Sequence, residues 1–246
     1  MPNKSAELAE LETFFEEGWI TEVLYRVKSG KEATVYCCQS DERVSGMNLV
    51  AAKIYRSQQH RSFKDDSLYR EGKEILDKRM KRAFERKTRT GREVQYKTWI
   101  HYEYETLTTL YNAGSAVPKP LSQGNGAILM EYFGDYHMAA PLLNNVELER
   151  SEAQAVFDTL MQNIETWLAH NRVHGDLSPF NVLYWQGQPI IIDFPQAVDP
   201  RFNHSAFTLL ERDIDNICRF LERFGVQADS TLLAERLWWK FQNSQL

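Results

Sequence analysis

The segment RVHGDLSPFNVLYW (172–185) places a carboxylate and an amide at a spacing that suits phosphate chemistry. Asp176 precedes Asn181 by five residues, and a second carboxylate, Asp193, follows Asn181 by twelve residues. Phosphoryl transfer needs a group that orients the acceptor hydroxyl and ligands for a divalent cation. Mg²⁺ usually binds one or two carboxylates together with phosphate oxygens and water. Asn181 and Asp193 therefore suit a metal site, and Asp176 suits the acceptor.

The same three residues also have a purely structural explanation. Asp and Asn often form turns and cap helices, so each of them alone would indicate nothing more. Here an unbroken apolar run, Pro189-Ile-Ile-Ile, leads directly into Asp193 and follows the Asp176 loop. The combination favours the catalytic interpretation.

Lys53 is the single charged residue in the stretch LVAAKIY, residues 49–55. A lysine in a strand can protect a sheet edge from aggregation. Alternatively, it is the strand lysine that neutralises ATP phosphates and pairs with a glutamate on a helix. Its occurrence in one chain with Asp176 and Asp193 favours the second interpretation.

The glutamate partner of such a lysine is expected on the helix predicted at about 98–112. Glu103 and Glu105 are the candidates, and Leu107 and Leu110 lie four and seven residues after Glu103. This spacing puts Glu103 beside the apolar stripe that would pack on a sheet. We therefore predict Glu103 as the partner and a solvated surface position for Glu105.

The segment Ser29–Tyr36, SGKEATVY, contains only one glycine, so its phosphate-loop signal is weak by glycine count. A small turn between two strands could still present backbone N–H groups, the Ser29 hydroxyl and Lys31 to a phosphate. An ordinary hairpin turn is the alternative, and it would be preferred without the other catalytic residues.

The elements that must position these residues change in type along the chain. The predicted helices lie at 6–17, 98–112, 148–171, 205–224 and 230–242, and the predicted strands at 22–28, 33–39, 49–55, 127–133, 181–185 and 189–193. Short strands joined by tight turns indicate an antiparallel sheet. The sequence therefore predicts an α+β protein with a β-rich first third and a mostly helical remainder.

Charge is distributed unevenly, although the whole chain of 246 residues has a net charge of −5. Residues 56–97 contain 14 Lys and Arg against 7 Asp and Glu, a net charge of +7. This segment has few large apolar residues, so we expect a mobile or surface-lying loop. Such a basic loop could bind the phosphates of RNA. A solvated loop explains the basic charge of this segment equally well.

The three cysteines, Cys37, Cys38 and Cys218, form no CxxC pair, and reduced thiols are expected. The first twenty residues are acidic and amphipathic and do not resemble a signal peptide. No apolar run approaches ~18 residues, the length expected of a transmembrane helix. We therefore expect a cytoplasmic protein with no membrane partner.

Five motifs together resemble the RIO family of atypical serine protein kinases, over residues 11–226. They are SGKEAxVY, AKIY, APLLxNV (140–146), HGDLSxxN and IIDFPQAV. The loop 29–36 and the segment around Asp193 are the most specific. The pattern HGDL…N…IDF alone is shared with small-molecule kinases of the aminoglycoside and choline type.

The resemblance implies a bilobal, protein-kinase-like fold. A small antiparallel sheet with a helix would form the N-lobe, and a reduced, mostly helical region would form the C-lobe. We expect one kinase domain over 1–246, with an N-terminal helix at 1–18, an N-lobe at 19–133 and a C-lobe at 134–246. The basic segment 56–97 would include the flexible loop of the family. The short N-terminal helix resembles the branch without a winged-helix domain.

The resemblance also implies ATP as substrate, with Mg²⁺, or Mn²⁺ in its place, as the metal. Lys53 would hold the phosphates with Glu103 as its partner, and Asp176 would be the catalytic aspartate. Asn181 and Asp193 would bind the metal. The implied nucleotide-binding residues are Ser29 and Lys31 in the phosphate loop, Met130 as gatekeeper, the hinge residues Glu131 to Phe133, and Val35, Ala51, Leu183 and Ile192 around adenine.

Two points set the expected chemistry apart from that of ordinary protein kinases, one implied by the family and one read from this chain. Its metal-binding aspartate, here Asp193, has been proposed to accept phosphate itself, which gives ATPase behaviour. Only 53 residues follow Asp193, and they contain no A-P-E motif. We therefore expect no platform for extended peptides.

Three functions follow from the sequence. The leading one is a Mg-ATP-dependent RIO-like serine protein kinase or ATPase, with itself or another protein as acceptor. The second is a small-molecule phosphotransferase. The third is an ATP-regulated factor that binds RNA or the small ribosomal subunit through residues 56–97.

Overall fold

The computed structural model describes residues 8–56 and 89–246. These residues form two compact units. The first unit contains residues 8–56, 89–105 and 118–139, and the second contains residues 106–117 and 140–246.

A five-stranded antiparallel sheet forms the centre of the first unit, in the order β1-β2-β3-β5-β4. Its strands are β1 (Ile20–Ser29), β2 (Ala33–Ser40), β3 (Leu49–Tyr55), β4 (Pro120–Gln123) and β5 (Ala127–Glu131). Tight connections join β1 to β2 and β4 to β5, which explains the antiparallel arrangement predicted from the short spacing.

The two faces of this sheet have different coverings, because successive residues of a strand point to opposite faces. Helix α1 (Glu12–Glu16) contributes Phe14 to the hydrophobic core that covers one face of the sheet. The buried residues of that core are Leu11, Phe14, Ile20, Tyr36, Cys38, Val50, Ala52, Ile54, Ala127 and Leu129. The opposite face contains the paired residues Val35, Lys53 and Ile128, and next to them Ala51 paired with Met130.

Helix α3 (Arg89–Asn112) packs on the face that contains Lys53, where its Ile100 joins a buried cluster with Tyr55 and Ile128. A short helix, α2 (Glu42–Ser45), precedes β3.

Helix α3 starts nine residues before the predicted residue 98. The prediction relied on apolar spacing, and residues 89–97, RTGREVQYK, contain few large apolar residues. The last part of the basic segment 56–97 is therefore helical, and its residues 57–88 lie outside the described part of the chain.

The second unit is mostly helical, as predicted. Its elements are a 3₁₀ turn (Leu143–Asn145), α4 (Arg150–Ala169), a 3₁₀ turn (Pro179–Asn181), β6 (Val182–Trp185), β7 (Gln188–Ile191), α5 (Ala206–Glu222) and α6 (Ser230–Gln242). Strands β6 and β7 form an antiparallel hairpin. A capping box between Glu149 and Glu152 begins α4. The residues of α4 whose spacing predicted a helix are buried: Val156, Leu160, Ile164, Trp167 and Leu168.

Several local predictions need correction. Strand β4, which begins at Pro120, is not among the predicted strands, because its four residues are too few to show alternation. Strand β7 ends at Ile191, two residues before Asp193, because Asp193 adopts a left-handed backbone conformation with φ of 73°. The three cysteines are free and buried, in agreement with their predicted reduced state. Among the described residues, no helix combines the length and apolarity needed to cross a membrane.

Candidate active site

The predicted ion pair between Lys53 and Glu103 is present in the first unit. Lys53 Nζ lies 2.6 Å from Glu103 Oε1, and both side chains are at least nine-tenths buried. Strand β3 supplies the lysine from the centre of the sheet, and α3 supplies the glutamate. Glu105 is exposed and lies 3.5 Å from His101 one helical turn earlier, as expected of the weaker candidate.

Tyr55 is a third member of this cluster and was not predicted. Its hydroxyl donates to Glu103 Oε2 at 2.7 Å, so each oxygen of the carboxylate contacts a different side chain of β3. Tyr55 could have been suspected because it lies two residues after Lys53, on the same face of the strand.

The turn between β1 and β2 only partly agrees with the predicted phosphate loop. The Gly30 N–H donates to the Ala33 carbonyl at 2.9 Å, so this backbone donor is used inside the turn. The Ser29 hydroxyl accepts a hydrogen bond from Arg56 at 2.7 Å, and both Ser29 and Lys31 are exposed. The turn therefore presents the Ser29 and Lys31 side chains, while the Gly30 N–H is already bonded inside the turn.

The residues predicted around adenine in the first unit lie on the Lys53 face or directly after β5. Val35 is half-buried, Ala51 is buried, and Met130 is half-buried beside Ala51. Glu131 is tied to Lys119 by backbone and side-chain hydrogen bonds of 2.8 and 3.1 Å. Phe133 is half-buried.

In the second unit, Asp176 and Asn181 are brought together. Asn181 Nδ2 donates to the backbone oxygen of Asp176 at 2.8 Å and lies 3.3 Å from its carboxylate. Because the amide nitrogen is directed at Asp176, the amide oxygen is the atom of Asn181 that suits a cation. The Asn181 carbonyl accepts from the Ile192 N–H at 2.9 Å, which ties the loop to the segment before Asp193.

Burial and neighbouring charges shift the pKa of Asp176. Its side chain is exposed, yet partial desolvation raises its pKa above the ordinary value of 3.8. Arg212 and the Asn181 amide lower this pKa, and the charge of Asp193 raises it. The charge of Asp193 is thus part of the electrostatic environment of Asp176.

Helix α5 holds the backbone on both sides of Asp176. Asp213, which is 2% exposed, accepts from the N–H groups of Gly175 and Leu177 at 2.7 and 2.9 Å. Arg212 donates to the Gly175 carbonyl, and Asn216 donates to the Leu177 carbonyl at 2.9 Å. These α5 residues were not predicted. The available signal was a carboxylate at a core position of an otherwise apolar helix face.

Gly175 must be a glycine in this arrangement. Its φ is 78°, and an added Cβ would lie 2.7 Å from the Gln196 carbonyl oxygen. His174, which is 1% exposed, packs its ring against those of Trp167 and Phe194, with centroid distances of 5.8 and 4.6 Å. The HGD segment is thus shaped by close backbone approach and by buried aromatic packing.

The donor set suits Mg²⁺ better than zinc. Among the described residues, no group of three or more His, Cys, Asp or Glu could hold a metal ion by itself. Asn181 and Asp193 offer one amide oxygen and one carboxylate, which is enough for Mg²⁺ because phosphate oxygens and water complete its coordination. Leu183 and Ile192, the remaining predicted adenine contacts, are half-buried beside this pair.

The family profile described as RIO domain matches residues 34–233 of the chain. The chain belongs to the RIO family of atypical protein kinases. It is 32% identical to the RIO-type serine/threonine-protein kinase Rio1 of Thermoplasma acidophilum, over 78% of this chain and 95% of that protein. It is also 32% identical to the serine/threonine-protein kinase RIO1 of Homo sapiens, over 85% of this chain and 35% of that protein. The chain thus spans about a third of the human RIO relative.

Solved RIO structures agree on the fold. The chain resembles the Rio2 kinase from Chaetomium thermophilum with a TM-score of 0.67 and 22% identity, over 96% of this chain and 69% of that one. A complex of the same kinase with ADP, Mg²⁺ and phosphoaspartate gives a TM-score of 0.66 and 22% identity, over 92% of this chain and 64% of that one. The predicted RIO family and kinase-like α+β fold are confirmed.

Proposed function

We propose that this RIO protein transfers the γ-phosphoryl group of Mg-ATP, with Asp176 as its catalytic aspartate. The observation that carries the proposal is the state of the Asp176 loop. Its backbone is held by α5 at four points, while the Asp176 carboxylate itself stays exposed. A fixed loop with an accessible carboxylate suits a group that must meet an incoming acceptor.

The residues of each unit have separate tasks in this proposal. Lys53, oriented by Glu103, binds phosphate oxygens, and Asp176 orients the acceptor hydroxyl and receives its proton. Asn181 and Asp193 hold Mg²⁺, or Mn²⁺ in its place. The bound metal supplies positive charge to the phosphate oxygens.

The same proposal includes a second acceptor, the carboxylate of Asp193. An Asp193 oxygen would form a bond to the γ-phosphorus while the bond to the ADP oxygen breaks, and water would then release inorganic phosphate. The Rio2 complex named for a phosphoaspartate supports this chemistry. ATPase activity and autophosphorylation would both follow from the choice of acceptor.

Nucleotide binding would use residues that flank these groups. We assign adenine contacts to Val35, Ala51, Met130, Leu183 and Ile192, hinge contacts to Glu131 and Phe133, and phosphate contacts to Ser29 and Lys31.

The two units would act as lobes of one kinase domain. The protein acceptor is this chain itself or a partner, and RNA or ribosome binding by residues 56–97 stays a prediction that lies mainly outside the described residues.

The test compares ATP turnover and autophosphorylation of the wild type with those of Asp176→Ala and Asp193→Ala. Loss of a charge-stabilising group of this kind is expected to lower kcat by about 10²-fold or more. Asp215→Ala is the control, because Asp215 contacts Arg219 and Ser230 and none of the proposed site residues. Equal activity in all four proteins would refute the proposal. Asp176-dependent phosphorylation of an aminoglycoside or choline would favour the small-molecule class instead.

A further inference from the structure

Tyr55 contacts the Lys53–Glu103 pair through its hydroxyl. The hydroxyl lies 2.7 Å from Glu103 Oε2, and Lys53 Nζ lies 2.6 Å from Glu103 Oε1. Both donors belong to β3, two residues apart, and therefore lie on one face of that strand. The carboxylate of α3 is thus bound at both oxygens by the same strand.

The Tyr55 ring is itself fixed in place. Tyr55 is 3% exposed, and its ring meets Trp99 edge to face at a centroid distance of 5.0 Å. Its backbone oxygen accepts from the Tyr96 hydroxyl at 2.7 Å. The Lys53 ammonium lies 5.2 Å from the centre of the Tyr55 ring, within the range of a cation–π contact.

A second donor changes what the Glu103 carboxylate can do. A carboxylate bound at one oxygen can still rotate about its Cγ–Cδ bond and carry the lysine head with it. Binding at both oxygens stops that rotation, and hydrogen bonds to a charged group are strong and directional. Since the cluster is buried, water competes little for either oxygen.

We propose that Tyr55 is a positioning residue that sets the direction of the Lys53 ammonium by fixing the Glu103 carboxylate. The inference rests on the proposed role of Lys53 as the phosphate-binding residue. Tyr55 does not touch the substrate in this scheme. Its hydroxyl acts only through Glu103, whereas its ring contributes to packing.

Tyr55→Phe separates these two contributions, because phenylalanine keeps the ring beside Trp99 and loses the hydroxyl. We expect the KM for ATP to rise and kcat/KM to fall about tenfold, which corresponds to one hydrogen bond to a charged group. Equilibrium binding of ATP should weaken by a similar factor.

Tyr96→Phe is the matched control. It also removes one phenol–oxygen hydrogen bond of 2.7 Å, but the acceptor is the Tyr55 backbone and not Glu103. Thermal unfolding of both variants measures the loss of packing and of hydrogen bonding. Tyr55→Phe should lose the more stability of the two, because its acceptor is charged and buried, and only Tyr55→Phe should change the KM and the affinity for ATP.

The decisive measurement places Tyr55→Phe in a Glu103→Ala background. If the hydroxyl acts through Glu103, the second substitution adds no further loss of ATP affinity. Independent, additive losses would overturn the inference, as would an unchanged KM in Tyr55→Phe alone. Failure of the proposed function is distinguishable, because turnover in the wild type would then not depend on Asp176.

Discussion

The first unit fixes a charged side chain, whereas the second unit fixes the backbone of a loop and leaves the Asp176 carboxylate of that loop exposed. In the first, Lys53 is held by a side chain from another element, at 2.6 Å and almost out of contact with water. In the second, Asp213 binds the N–H groups on either side of Asp176 and never touches the Asp176 carboxylate. The two arrangements use buried carboxylates for different purposes.

The difference fits the roles proposed for Lys53 and Asp176. A phosphate-binding lysine gains from burial because a low local dielectric strengthens its electrostatic interactions. A catalytic aspartate needs access to an acceptor, so the surrounding protein can fix only its backbone. Substitution of Lys53 should therefore act through charge, and substitution of Asp213 through backbone hydrogen bonds.

The largest effect is expected from breaking the charge pair. Lys53→Met keeps most of the side-chain volume but removes the positive charge beside a buried carboxylate, which should lower the free energy of unfolding by about 4 kcal/mol. Urea unfolding measures this loss. Lys53→Met combined with Glu103→Leu should recover much of it, and a double variant no more stable than Lys53→Met would argue against an electrostatic origin.

The next effect concerns the backbone hydrogen bonds. Asp213→Ala removes the acceptor of two buried N–H groups and should lower the free energy of unfolding by about 3 kcal/mol. Asp213→Asn keeps one acceptor oxygen and should cost less. Asp215→Ala, on the same helix, is the control, since it removes only the ion pair with Arg219 and one hydrogen bond from Ser230 and should cost about 1 kcal/mol. Equal losses in Asp213→Ala and Asp215→Ala would contradict the assigned role.

The free energy of unfolding should depend on pH through Asp213 of the second unit. Burial raises the pKa of Asp213 from 3.8 to about 7, although its two backbone N–H donors and Arg212 lower it. At a pH between these two pKa values, Asp213 is deprotonated in the unfolded chain and still protonated in the folded chain. The stability that Asp213 contributes is therefore fully present below about pH 4 and is lost as pH rises towards about 7.

The measurement is the slope of unfolding free energy against pH from 4 to 7. Relative to Asp213→Asn, the wild type should lose up to about 1.4 kcal/mol per pH unit in this interval. Parallel curves for the two proteins would show that Asp213 does not titrate there.

The smallest effect is expected at Glu105, two residues from the buried partner of Lys53. Its side chain is 57% exposed and lies 3.5 Å from His101. Glu105→Gln should change the free energy of unfolding by less than about 0.5 kcal/mol. Glu103→Gln in parallel should have a much larger effect, and similar values would remove the distinction between the two glutamates.

Local patterns in the sequence predicted much of the fold and part of the site. The stripe of Leu107 and Leu110 selected Glu103 over Glu105, because helical spacing alone decides which residues share a face. The single charge in the apolar run 49–55 likewise singled out Lys53. The boundaries were less accurate, since α3 begins at Arg89 and β7 ends before Asp193.

Partners far apart in the sequence could not be predicted in the same way. Asp213 lies 38 and 36 residues from its two donors, and Tyr55 lies 48 residues from Glu103. Nothing in the local periodicity indicates which buried polar groups will meet across such separations. The Gly30 N–H was also unpredictable, because its use inside the turn depends on the conformation of Ala33.

The sequence by itself determined the kind of chemistry and the family, since the spacing of Asp176, Asn181 and Asp193 and the lysine of β3 are local properties. Only the tertiary structure decided which atoms are held and which are left accessible. It directed the Asn181 amide nitrogen to Asp176, placed Tyr55 on Glu103 and bound the Asp176 loop to α5. Buried polar groups must find partners, and the fold alone brings those partners within reach.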